Sequence, residues 1–101
     1  MTGDDLVVGD APEASRYEAR IGDRLAGASF YERVGNVVVF SHTEVDTAFE
    51  GQGVGGRLVR GALDDVRRQG GQVVARCPFV RAWLERHPDY QDLVIDDGPA
   101  R

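Results

Sequence analysis

The sequence predicts an α+β (mixed α/β) domain in which an antiparallel β-meander is followed by a β-α-β-α unit. Three β-prone segments joined by short glycine-containing turns come first, and two helical patterns flanking a short apolar strand follow. A chain of 101 residues has the size of one domain.

The meander is indicated by alternation of polar and apolar residues, the period of a half-buried strand. The three predicted strands cover residues 16–21, 25–34 and 37–45, and the turn signals between them are Gly22-Asp23 and Gly35-Asn36. Short turns between successive strands are typical of antiparallel pairing.

A change to helical spacing follows the third strand. Apolar residues recur one turn apart between residues 54 and 69, and Gly70-Gly71 ends this helix. Residues 72–76 form the fourth predicted strand, which should run parallel to the third through a right-handed crossover. Pro78 begins a second helix, whose predicted apolar stripe is Phe79, Ala82, Trp83 and Leu84.

The two ends of the chain are rich in glycine, proline and acidic residues. We therefore predict a flexible N-terminal tail over residues 1–14, a folded domain over 15–95 and a flexible C-terminal tail over 96–101.

Composition and charge exclude several classes of function. A net charge of −5 argues against general affinity for nucleic acid or an anionic membrane. No apolar run approaches the length of a membrane span, and the N-terminus lacks a signal-peptide pattern, so the cytoplasm is the expected location. Cys77 is the single cysteine, which leaves neither an intrachain disulfide nor a structural zinc site, and we predict no metal.

The most informative segment is a glycine-rich turn between the third strand and the first helix. Glycines allow successive backbone N–H groups to converge, and the helix start adds its partial positive charge, so the turn predicts a cradle for phosphate. The literal Gly-x-Gly-x-x-Gly match does not indicate a Rossmann fold, because residues 46–50 separate strand from turn and the upstream strands form a meander. A P-loop needs lysine, and all twelve basic residues are arginine.

Residues 45–55 resemble the pyrophosphate-binding motif of GNAT acetyltransferases, Gln/Arg-x-x-Gly-x-Gly/Ala, with Glu50 at the position that is usually Gln or Arg. Further motifs in the same order are similar to the small, minimal GNAT-like family, whose members have about this length. These motifs are His42-Thr43-Glu44-Val45, Cys77-Pro78-Phe79-Val80 and His87-Pro88-Asp89-Tyr90.

The resemblance implies that the third and fourth strands splay apart and that the pantetheine arm of acetyl-CoA, the cosubstrate, lies between them. Backbone groups near Val45 would bind the pantetheine amides, and the thioester would end near Cys77. The resemblance also implies that the pyrophosphate is held by backbone amides of the turn, which are those of Gly51, Gln52, Gly53, Val54, Gly55 and Gly56. Arg57 is predicted from its position one residue past the turn to add a charge-assisted contact.

Three side chains are catalytic candidates, and each keeps a structural alternative. Glu44 and His42 share a face if the third strand alternates regularly, and either could then act as the base that takes a proton from the amine. The structural alternative for Glu44 is a solvated carboxylate, and for His42 it is a packed, hydrogen-bonded histidine. Cys77 has three alternatives: a small buried residue, a neighbour of the CoA thiol that shapes the site or donates a proton, or an acyl carrier that forms a covalent intermediate.

Many GNAT enzymes use a tyrosine on the last helix as general acid, and here the matching stretch is Trp83-Leu84. Of the nearby polar residues, we expect His87 to cap or pack and Tyr90 to close the edge of the core. As a whole, the resemblance implies an N-acetyltransferase that acts on an unidentified amine or protein acceptor by direct transfer. The alternative is a non-catalytic or weakly catalytic CoA-binding module, and a homodimer is left open.

Overall fold

A computed structural model describes residues 5–95, and within them five strands form one mixed sheet in the order β1-β2-β3-β4-β5. The strands are β1 Leu6–Ala11, β2 Arg16–Ile21, β3 Arg24–Val34, β4 Val37–Val45 and β5 Gln72–Ala75. The α-helices are α1 Val54–Arg68 and α2 Pro78–Glu85, and 3-10 helices cover Pro12–Ala14, Thr47–Phe49 and Pro88–Leu93.

The order of pairing confirms the predicted fold class. Strands β1 to β4 pair antiparallel with their chain neighbours, and β5 pairs parallel with β4 after the crossover through α1. The third and fourth predicted strands are β4 and β5 in this numbering, because a strand precedes them that the sequence analysis did not predict.

Strand β1 contradicts part of the predicted N-terminal tail. Leu6–Ala11 pairs along its whole length with β2, from Leu6 opposite Ile21 to Ala11 opposite Arg16. Leu6 and Val8 pack against the core, and α1 crosses so closely that a Cβ on Gly61 would lie 2.7 Å from the Val8 Cβ. An edge strand pairs with one neighbouring strand only and needs one apolar face. In β1 the alternating residues Leu6 and Val8 supply that face. Residues 1–4 and the predicted tail at 96–101 lie outside the described residues.

Helices α1 and α2 pack on the same side of the sheet, and a single core fills the space between. It is built around the fully buried Tyr17, Phe40, Leu58, Leu63, Val66 and Val80. In α2 the buried residues are Val80, Trp83 and Leu84, whereas Phe79 and Ala82 of the predicted stripe are exposed. The opposite side of the sheet, termed the open face, carries Arg16, Glu18, Phe30, His42 and Glu44.

The chain after α2 closes one edge of the core as expected. The His87 ring stacks on Trp83 with centroids 3.7 Å apart, and its Nδ1 is 2.7 Å from the Trp83 carbonyl oxygen. Tyr90 is buried, and its hydroxyl donates to Asp64 of α1 at 2.7 Å. That bond, together with burial, raises the pKa of Tyr90.

Strands β4 and β5 separate part-way along β4, which confirms the predicted splay. Their parallel pairing runs from Val37 opposite Gln72 to Phe40 opposite Ala75, and the N–H groups of Arg76 and Cys77 both donate to the Phe40 carbonyl. Immediately after Phe40 the pairing of β4 with β3 skips Ser41, a β-bulge. From there to Val45, β4 pairs with β3 alone among the described strands, and a gap opens on its other side.

Candidate functional site

The conformation of the glycine-rich turn depends on one side-chain hydrogen bond and on two glycines with left-handed backbone conformation. The Asp46 carboxylate accepts the Ala48 N–H at 2.8 Å, which caps the short 3-10 helix Thr47–Phe49. Gly51 and Gly53 then have φ of +84° and +74°, and no atom beyond the adjoining residues lies within 4 Å of the position that a Cβ would take on either. Glycine adopts such angles without steric cost, so these two positions let the chain reverse into α1.

The start of α1 presents backbone donors to a groove. The Arg57 N–H is bonded to the Gly53 carbonyl at 3.1 Å, which closes the first helical turn. The amides of Val54, Gly55 and Gly56 come before that bond, and the first N–H groups of a helix have no carbonyl one turn back. A groove of about 330 Å³ lies there; its lining includes Val45, Phe49, Glu50, Gly51, Gly53, Val54, Gly55, Gly56 and Phe79. Amides and the helix dipole together fit a diphosphate.

Two of the predicted donor-binding residues lie at the margin of this groove. Gln52 and Arg57 are exposed on the turn and on the first turn of α1, but they do not belong to the groove lining. Glu50 is an exposed lining residue at the position where the motif usually has Gln or Arg. An anion in the groove would therefore be held mainly by main-chain N–H groups.

The peptide groups of Val45 point into the gap between β4 and β5. The Asp46 N–H donates to the Ala26 carbonyl at 2.8 Å and therefore faces β3. Successive residues of a strand direct their N–H and C=O groups to alternate sides, which turns those of Val45 away from β3. An extended arm bearing amides can pair with them as an added strand does.

The helix side of the gap holds a short chain of polar side chains. The Ser29 and Thr43 hydroxyl oxygens are 2.9 Å apart, and the Thr43 hydroxyl oxygen is 3.4 Å from Cys77 Sγ. Cys77 is 2% exposed and Ser29 is fully buried. This arrangement gives the thiol the surroundings of a small core residue with one polar neighbour at the gap.

The open face of the sheet holds the other two catalytic candidates. His42 Nε2 lies 3.0 Å from the Glu44 carboxylate, with the two side chains 61% and 63% exposed. The His42 ring stacks on Phe30 with centroids 6.0 Å apart. The bulge at Ser41 precedes both residues, so they share a face as predicted. The structure therefore brings His42 and Glu44 together and places Cys77 on the opposite side of β4.

Phe79 and Thr43 were not predicted as site residues. Phe79 is 41% exposed and forms a wall of the groove, although it was predicted to belong to the apolar stripe of α2. The signal available for it was Gly55, a glycine inside a helix, which often marks a close approach. Thr43 faces the helix side only because the Ser41 bulge shifts the alternation, and no residue pattern announces that bulge.

Comparison with known proteins identifies the family. The model of the family described as GCN5-related N-acetyl-transferase matches residues 16–93. The chain belongs to the GCN5-related N-acetyltransferase family. The resemblance predicted from the sequence is thus confirmed, and membership supports a transferase activity of the N-acetyltransferase type.

Among solved structures, this GNAT domain is similar to a GCN5-like candidate N-acetyltransferase from Staphylococcus aureus, determined by NMR in solution. The TM-score is 0.68 at 22% identity, and the alignment covers 97% of this chain and 96% of that chain. At that identity the likeness shows the fold. Among proteins of curated function, none matches this chain significantly. In the described part of the chain, neither helix has the length and apolar character of a membrane span.

Proposed function

We propose that this GNAT domain is a cytoplasmic acetyltransferase that uses acetyl-CoA and transfers the acetyl group directly to a primary amine. The observation that carries the proposal is the continuity of two features: the amide cradle at the start of α1 opens beside Val45, at the mouth of the gap between β4 and β5. A diphosphate at the cradle and an attached pantetheine arm in the gap match this layout.

The donor would be held by main-chain groups more than by side chains. The amides of Val54, Gly55 and Gly56 suit the diphosphate, and the peptide groups of Val45 suit the amides of the arm. When bound, acetyl-CoA supplies a thioester carbon that is open to attack by an amine.

The chain's own residues move the protons of the reaction. Forming the new N–C bond while the thioester C–S bond breaks leaves a surplus proton on nitrogen and a thiolate on CoA. Glu44 and His42, joined at 3.0 Å, accept the nitrogen proton from the open face. The leaving sulfur of CoA must gain a proton, and we assign the Cys77 S–H on the helix side as its donor. Water returns a proton to Cys77 after product release. Trp83 and Leu84, buried in α2, have no role in this step.

The test is release of free CoA thiol from acetyl-CoA in the presence of a panel of primary amines. Release that depends on the added amine and falls about 100-fold in Glu44→Gln supports the proposal, since general base catalysis contributes at least that factor. Glu32→Gln is the matched control, because Glu32 is an exposed glutamate of the same face outside the gap. CoA binding without release across the panel would contradict transfer and favour the CoA-binding module.

A further inference from the structure

We infer that a pocket on the open face, beside Glu44, binds an acceptor that carries a primary amine at one end and a carboxylate at the other. The inference rests on the proposed function, whose acceptor it specifies. The pocket has a volume of about 190 Å³, and its lining includes Glu44 and Asp46 on the β4 side, Arg16 of β2, and Leu25 and Ala28 of β3.

A small residue at the centre of the sheet creates the pocket. Ala28 of β3 stands opposite Glu18 on β2 and opposite Glu44 on β4, so the three side chains form one row across the open face. The methyl group of Ala28 is the lowest point of that row, and Leu25 lines the same pocket with apolar surface. Such a floor suits the methylene chain of a small molecule.

The negative end of the pocket is Glu44. The other carboxylate there, Asp46, already accepts the Ala48 N–H at 2.8 Å. Within residues 5–95, the side chain that bonds to Glu44 is His42. Glu44 also lines the pocket. An amine delivered to Glu44 stands at the pair that accepts its proton, beside the mouth of the gap at Val45.

The positive end is Arg16. Its Nε and Nη2 lie 2.8 and 2.7 Å from Glu18, and its guanidinium carbon is 5.6 Å from the centroid of the Phe30 ring. Glu18 also pairs with Arg20 at 3.1 Å, so two guanidinium groups share one carboxylate and the trio carries a net charge of about +1. Hydrogen bonding to Arg16 holds the pKa of Glu18 below its ordinary value, which keeps that carboxylate ionised.

The separation of the two ends selects the kind of acceptor. Strands β2 and β4 are two interstrand spacings apart, about 10 Å between backbones. An α-amino acid is too short to reach Glu44 and Arg16 together, whereas an ω-amino acid with a straight methylene chain spans Ala28. The pocket therefore favours an ω-amino carboxylate, or a larger acceptor that presents the same two groups.

The experiment compares 6-aminohexanoate with hexylamine in acetyl-CoA-dependent thiol release. We expect kcat/KM to be about tenfold higher for 6-aminohexanoate, because one charge-assisted hydrogen bond is worth about that factor. Arg16→Gln should abolish the preference. The matched control is Arg68→Gln, which removes an exposed arginine that also pairs with a carboxylate but lies on α1 outside the pocket lining, and it should keep the preference.

A second measurement separates the pocket from the reaction. Adding 6-aminohexanoate to the CoA-bound protein should shift the NMR amide signals of Ala28 and Glu44, and Arg16→Gln should remove the shifts. Equal kcat/KM for the two amines, with no shift at Ala28, would overturn the pocket and leave the proposed function standing. Shifts at Ala28 without thiol release from any amine would instead contradict the proposed function and retain the pocket as a binding site.

Discussion

The Phe79 ring lies directly on Gly55, so that a Cβ built on Gly55 would be 2.5 Å from Phe79 Cζ. The contact joins the first turn of α1 to the first turn of α2 at the groove. A side chain that approaches backbone this closely leaves no room for a methyl group, and the ring would have to move. Gly55 therefore has a packing reason for its presence, in addition to the bare amide that it offers.

Replacing Gly55 and Gly56 separately by alanine should have opposite effects on stability. In Gly56→Ala the new Cβ would lie 3.7 Å from Trp83 Nε1, an ordinary contact, so the variant should gain about 0.5 kcal/mol from the helix propensity of alanine. Gly55→Ala must displace Phe79 and should be about 1 kcal/mol less stable than Gly56→Ala. Urea denaturation measures both, and an equal gain in the two variants would show that Phe79 does not press on Gly55.

The cradle at the start of α1 predicts that CoA stabilises the folded chain. At 100 times its Kd, a ligand that binds only the folded form adds about 2.7 kcal/mol, which for a domain of this size raises Tm by about 10 °C. Gly53→Asp should abolish this rise, because it places a side chain and a negative charge beside the amides.

Gly22→Asp is the matched control for that experiment. Gly22 has φ of +61° in the turn between β2 and β3, and the Cβ of either variant would enter open space. Both substitutions therefore carry a similar backbone strain of about 1 kcal/mol and should lower the Tm of the free protein similarly. Only Gly53→Asp should lose the response to CoA; loss of the response in Gly22→Asp as well would assign the effect to general destabilisation.

The sequence predicts those parts of the molecule that depend on local periodicity. Strands β2 to β4 show period-two alternation and α1 shows an apolar stripe, and both were recovered nearly to the residue. Strand β1 was missed because only Leu6 and Val8 alternate, in a segment whose acidic and glycine residues resemble a tail. The cradle followed from glycine spacing. The side of the sheet on which Thr43 and Cys77 lie could not be predicted, because it depends on a bulge at Ser41 and on the residue at which β5 ends. Tertiary packing decides both.

Burial of Cys77 predicts that no acyl-cysteine forms. With 2% exposure and a Thr43 hydroxyl 3.4 Å from Sγ, the thiol should react with a disulfide reagent about 100-fold more slowly than a free thiol, and urea should remove that protection. Incubation with acetyl-CoA alone should leave the mass of the Cys77 peptide unchanged. The chain has one cysteine, so both readouts report on this residue only.

The turnover of Cys77 variants tests the proposal that the Cys77 thiol donates a proton to the leaving CoA sulfur. Cys77→Ala should lower kcat about 100-fold, and Cys77→Ser, which keeps an O–H donor of similar size, should recover part of that loss. An acetyl adduct on Cys77 that decays when amine is added would overturn direct transfer in favour of a two-step reaction.

The pairing of Tyr17 with Asp65 predicts a loss of stability in alkali. Tyr17 is 1% exposed, and its hydroxyl donates to the Asp65 carboxylate at 2.7 Å. Burial first, and then the bond to Asp65, raise the pKa of Tyr17 well above its ordinary value of 10.0. The folded state therefore keeps the proton at a pH where the unfolded chain has released it. This contribution is complete below about pH 10 and decreases as pH rises further, by up to about 1.4 kcal/mol per pH unit.

Tyr17→Phe removes both the bond and the titration, which makes the two effects separable. Near pH 8 the variant should be about 1 kcal/mol less stable than the natural chain, because one hydrogen bond to a carboxylate is lost. Near pH 11 the difference should shrink by about 1 kcal/mol, because phenylalanine has no proton to hold. Urea denaturation followed by the fluorescence of Trp83, the single tryptophan, measures this at each pH. A difference that stays constant or grows between the two pH values would show that Tyr17 titrates in the folded chain as it does in the unfolded one.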